Sequence, residues 1–165
     1  MEIKLTLALP RDALSVPVVR RVLKASMEVL GVEPSIVSDI ELALTEAVTN
    51  VLDHSTHGEE YEVSAGIDGD TCVIEVIDRG SGFDSNALGR EQADVHAEEG
   101  RGIQLIRALV DHVTFDNIPK LGTVVHLEKQ LVWQSDSVAK KLGENNAPTV
   151  DGPWSRAEPH ASEAS

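Results

Sequence analysis

The sequence predicts an α+β fold: a two-layer α/β sandwich with a mixed, mostly antiparallel sheet and its helices on one face. Three observations lead there. Short stretches alternate apolar and polar residues with the period of a strand, while longer ones repeat apolar residues every three or four positions, as one face of a helix does. Their order is strand, helix, helix, two strands, helix, two strands. No internal repeat competes with a single domain.

Glu2 to Leu9 sets Ile3, Leu5, Leu7 and Leu9 against Glu2, Lys4 and Thr6, a half-buried strand that Pro10 ends. Ser15 is placed to be an N-cap, and Pro17 is tolerated in the first turn, where amides lack helical partners. Val18, Val19, Val22, Leu23, Ser26 and Leu30 carry helical spacing up to Gly31. A second helix opens at Pro34 and runs to about His54, with Gly58 just beyond.

Tyr61 to Ile67 alternates clearly, Asp68-Gly69-Asp70 is a hairpin turn, and Cys72 to Ile77 is apolar enough for a central strand. Residues 84–99 are polar and without strong period, and read as a mobile loop with room for one short helical turn. Gly100-Arg101-Gly102 leads into a third helix that buries Ile103, Ile106, Leu109 and Val110. His112 to Ile118 and Thr123 to Glu128 are strands joined through Pro119-Lys120-Leu121-Gly122. From about Gln130 the periodicity fades. A domain spanning 1–130 is therefore expected, followed by a disordered tail, 131–165, rich in Ser, Ala, Glu, Asn and Pro.

Hydrophobic residues form 41% of the 165-residue chain, as in a soluble globular protein, and aromatic residues only 3%. So few aromatics argue against a stacking platform for single-stranded nucleic acid. A net charge of −14 and a pI of about 4.7 likewise disfavour a phosphate backbone as partner. A nucleotide held locally by backbone NH groups and a metal remains compatible, as does a basic protein partner. Cys72, the one cysteine, lies in an apolar run and reads as a core residue, with no intrachain disulfide. No basic stretch precedes an apolar core at the N-terminus, and no run approaches membrane-spanning length. The expectation is a cytoplasmic protein with no membrane contact.

Three segments carry potential chemistry. On the second helix, Ile40, Ala43, Leu44, Ala47, Val48 and Val51 form an apolar stripe, with Glu46 and Asn50 one turn apart beside it. The Asn50 oxygen is a hard ligand for Mg²⁺, and Glu46 is placed to take a proton from a hydroxyl or water. Taken alone, the pair fits an ordinary solvated helix edge as well. Asp78 ends an apolar strand ahead of Gly80 and Gly82, which puts a carboxylate, an acceptor for an exocyclic amine, beside backbone that a ligand can approach. A turn requiring two glycines fits equally. Gly100 and Gly102 at a helix start offer free NH groups to phosphate. The third glycine of a dinucleotide fingerprint is missing, because residue 105 is Leu. Arg101, like Arg79, either reaches a phosphate or offsets the acidic surface.

Taken in order, four segments resemble successive motifs of one fold. They are Glu46-Ala47-Val48-Thr49-Asn50 with His54; Asp78-Arg79-Gly80-Ser81-Gly82-Phe83-Asp84; Gly100-Arg101-Gly102-Ile103-Gln104-Leu105-Ile106-Arg107-Ala108-Leu109-Val110-Asp111; and Gly122-Thr123-Val124-Val125. The fold is the Bergerat ATP-binding fold of gyrase, the heat-shock chaperones and histidine kinases. Its compact form here resembles the bacterial anti-sigma-factor serine/threonine kinases over about residues 3–129.

The resemblance implies ATP and Mg²⁺ as cofactors, Asn50 as metal ligand, Glu46 as base and Asp78 as the adenine contact, supported by Thr123. It also implies that Gly80 and Gly82 admit the nucleotide and that Gly100 and Gly102 hold phosphate, with Arg101 beside them. Residues 84–99 resemble an ATP lid, but one carrying Glu91, Asp94, Glu98 and Glu99 beside Arg90. The implied partners are a sigma factor, an anti-anti-sigma protein of the STAS type and a second copy of the chain. The acidic lid keeps a second function open, a nucleotide-dependent partner-binding module with little phosphoryl transfer.

Overall fold

The computed structural model describes residues 2–54, 59–78, 97–118 and 122–145. Five strands, β1 (Glu2–Pro10), β2 (Glu60–Asp68), β3 (Thr71–Asp78), β4 (His112–Ile118) and β5 (Gly122–Gln130), form one sheet in the order β1-β2-β3-β5-β4. All four described pairings are antiparallel. The helices are α1 (Ser15–Leu30), α2 (Pro34–His54), α3 (Ala97–Leu109) and α4 (Val138–Asn145). This is the α+β sandwich that the sequence predicts.

Strand alternation decides which face is covered. Tyr61, Val63, Ala65 and Ile67 on β2, Cys72, Ile74 and Val76 on β3, and Val125 and Leu127 on β5 are buried in one cluster with α1 and α2. Glu62, Glu75 and His126 occupy the alternate positions and face away. On α2 the predicted stripe is buried throughout: Ala43, Leu44, Ala47 and Val48 are fully inaccessible, which makes this helix the centre of the helical layer. It packs against α1, α3, β3 and β5. On α1 the buried positions are Ser15, Val19, Leu23 and Met27, while Val18 is exposed.

Two turns need glycine. Gly69, at φ 58°, makes the two-residue β2–β3 turn with Asp70. Gly31 ends α1 at φ 85°, its N–H donating to Glu28 O at 3.1 Å while Val32 N–H reaches Met27 O at 3.0 Å, the paired bonds of a left-handed helix stop.

Three expectations change. Ser15 is the first residue of α1 rather than its cap, because its hydroxyl donates to Asp12 O (2.6 Å) and accepts from the buried Tyr61 hydroxyl (2.7 Å). Helix α3 begins at Ala97, inside the stretch read as loop. The chain also stays packed past residue 130. Leu131 N–H donates to Asp70 O, Trp133 bridges Val32, Gln134 N–H donates to Gly31 O, and α4 lies against α1. Leu131, Ser137 and Ala139 are buried in this return. Residues 131–145 thus belong to the folded unit where a disordered tail is expected. Residues 146–165 lie outside the described residues, as do Gly80, Gly82 and residues 84–96 of the segment read as a loop.

Candidate active site

The apolar stripe of α2 fixes the helix's rotation, and with it the direction of the residues beside the stripe. Glu46 and Asn50, four positions apart and both half-buried, stand where α2 meets α3. The α3 residue that meets them is Gly102, itself buried. A Cβ built there would lie 3.1 Å from Glu46 Oε2 and 3.5 Å from Asn50 Oδ1. Two helices therefore touch where one lacks a side chain, and three of the residues singled out from sequence converge. With α3 starting at Ala97, the described amides without helical partners are those of 97–99, so Gly100 and Gly102 both lie past the free NH groups that the sequence leads one to expect at them. Gly102 thus serves as open space against α2, and its φ is not left-handed. Arg101 is exposed.

A second group forms on the sheet. Asp78 is the last residue of β3, and in register it stands between Tyr61 on β2 and Thr123 on β5. Its carboxylate is 2% exposed. An ionised carboxylate at that depth requires a compensating charge, and Arg11, from the segment after β1, provides it. Arg11 Nη1 donates to Asp78 Oδ1 at 2.7 Å, and Nη2 donates to the carbonyls of Val51 (3.1 Å) and Leu52 (3.3 Å). Those carbonyls directly follow Asn50 on α2, so one guanidinium joins the two groups. Tyr61, 1% exposed, closes the base of this region, and burial pushes its phenol pKa up despite the bond to Ser15.

Arg11 was not legible from sequence. It follows Pro10 at the end of β1 and belongs to no motif, and its carboxylate partner is 67 positions away.

The histidine kinase-like ATPase domain family matches residues 9–129, and the chain belongs to it. It is 29% identical over 127 residues to the serine-protein kinase RsbW of Oceanobacillus iheyensis, covering 70% of this chain and 79% of that protein. It is 31% identical over 102 residues to the anti-sigma F factor of Pasteuria penetrans, covering 57% and 68%. Among solved structures, a Mycobacterium tuberculosis chain with RsbU and RsbW domains is alike in fold, with a TM-score of 0.61 at 23% identity over 78% of this chain and 32% of that longer one.

The residues present fit ATP and Mg²⁺. The cradle that a Cβ at Gly102 would fill is lined by a carboxylate and an amide oxygen, both hard donors. Asp78 offers an acceptor at the sheet end of the same region.

Proposed function

We propose that the chain is an ATP-dependent serine/threonine protein kinase and anti-sigma factor, acting on an anti-anti-sigma protein of the STAS type. The sigma factor is held or released according to that partner's phosphorylation. The observation that carries this reading is the meeting of Glu46, Asn50 and Gly102 at the α2–α3 contact, next to the Asp78–Thr123 pair. The relatives named as a serine-protein kinase and an anti-sigma factor support it.

In this reading Asp78 accepts a hydrogen bond from the adenine amine, and Thr123 stands beside it on β5. Asn50 Oδ1 would hold Mg²⁺, which would supply positive charge against the phosphates. Gly100 and Gly102, with Arg101, border the phosphates, and Gly80 and Gly82 give the nucleotide access. Glu46 orients the partner's Ser or Thr hydroxyl and accepts its proton as that oxygen bonds to phosphorus and the bond to departing ADP breaks. Such a protein works in the cytoplasm, as a homodimer. Among the described residues, no helix is long and apolar enough to cross a membrane.

The test is to incubate the protein with γ-labelled ATP, Mg²⁺ and candidate STAS-type partners. Label on a partner Ser or Thr supports the kinase. Partner retention that requires ATP but leaves no label supports the binding module, for which the acidic residues of the 84–99 segment speak.

A further inference from the structure

Arg11 is the residue of this region that the functional reading leaves unexplained. Its guanidinium, 9% exposed, has one arm on Asp78 Oδ1 and the other on the carbonyls of Val51 and Leu52, in the last turn of α2. Its own N–H donates to Glu59 O, just before β2. A fork held at both ends and anchored through its backbone has little rotational freedom, so it fixes the orientation of the carboxylate that it grips. The carbonyl end of a helix carries partial negative charge, which favours a cation there. Arginine also stays charged at any working pH, so Asp78 keeps a cation beside it at full burial.

We infer that Arg11 is a positioning residue of the base subsite. Gripping Asp78 and the end of α2 together, it sets the carboxylate that reads a purine's exocyclic amine at a fixed place relative to Glu46 and Asn50. It thereby sets selectivity for adenine over guanine. The chemistry is one of sign: a fixed anion accepts from the amine of adenine and repels the carbonyl oxygen that guanine carries at the same position. This inference rests on the reading of Asp78 as the base contact.

The test is equilibrium binding of ATP and GTP to the full chain and its variants, beside their thermal midpoints. Arg11→Met is expected to lower ATP affinity about tenfold or more and GTP affinity by less than about threefold, so that the ATP:GTP ratio collapses. Arg11→Lys keeps the charge and loses the fork, and is expected to recover only part of the ratio. Arg11→Met combined with Asp78→Asn removes both charges; it should regain thermal stability and still fail to discriminate. An equal loss for both nucleotides that follows the thermal midpoint, or an unchanged ratio in Arg11→Lys, overturns the inference. Should Arg11→Met not fold, Arg11→Lys and the double variant decide by the same ratios. If Asp78→Asn alone, folded, binds ATP as the wild type does, it is the assignment of Asp78 that fails.

Discussion

Gly102 on α3 faces Glu46 on α2 with no side chain between them, and a Cβ at Gly102 would stand 3.1 Å from Glu46 Oε2. This contact brings the carboxylate read as a general base to the glycine segment read as a phosphate site. In Gly102→Ala the added methyl presses on the end of a flexible side chain, while alanine favours the helix by about 1 kcal/mol. Stability is expected to stay within about 1 kcal/mol of the wild type, with phosphoryl transfer falling about tenfold or more as Glu46 is displaced. Urea denaturation beside a transfer assay checks both halves. Full activity would show that the contact has no part in the chemistry.

Asn50 is the residue assigned to the metal, so its effect should depend on metal. In Asn50→Ala, ATP affinity measured with Mg²⁺ is expected to fall about tenfold or more, while affinity measured in EDTA stays within about twofold. Removing Mg²⁺ from the wild type should bring it close to the variant. Equal losses with and without Mg²⁺ would instead place Asn50 on the nucleotide itself.

Gly31 tests whether residues 131–145 belong to the fold. A Cβ there would lie 2.6 Å from Ser137 Cβ and 2.7 Å from Ser137 Cα, at a φ of 85°. Gly31→Ala combines a left-handed backbone with a backbone collision, and should cost about 2–4 kcal/mol in urea denaturation. A loss under about 1 kcal/mol would mean that this return is not held against Gly31.

Burial pushes the Cys72 thiol from its usual 9.0 up to about 12, and the Tyr61 phenol up from 10.0. Both shifts favour the protonated group in the folded state. Their contribution is therefore fully present below pH 9 and is lost as pH rises toward 12, because the unfolded chain gives up its protons first. The unfolding free energy from urea denaturation should fall between pH 8 and pH 10, with a slope of at most about 1.4 kcal/mol per pH unit for each group. At pH 8 a thiol reagent should label Cys72 only after unfolding. Rapid native labelling would contradict its burial.

Local chemistry made part of this protein readable from sequence, and distance hid the rest. Gly31, Pro34 and the Asp68-Gly69-Asp70 turn mark element ends through their own backbone preferences, and the structure ends or begins elements there. The Glu46–Asn50 pair was visible because four residues make about one helical turn. Ser15 reads as a cap from local sequence because its hydroxyl partner, Tyr61, is 46 positions away. The packing of 131–145 escapes for the same reason: Asp70, Val32 and Gly31, all distant in sequence, hold it through main-chain bonds. The start of α3 at Ala97 lies in a stretch whose composition carries no helical stripe.

In the proposed function, Glu46 serves the transfer of phosphate rather than the binding of nucleotide. The most direct measurement is made on Glu46→Ala, with ATP affinity and the rate of partner phosphorylation determined on the same preparation. ATP affinity should stay within about threefold of the wild type, while phosphorylation slows by about 10²–10⁴-fold. Phosphorylation at the wild-type rate in a variant that still binds ATP would show that Glu46 is not the base.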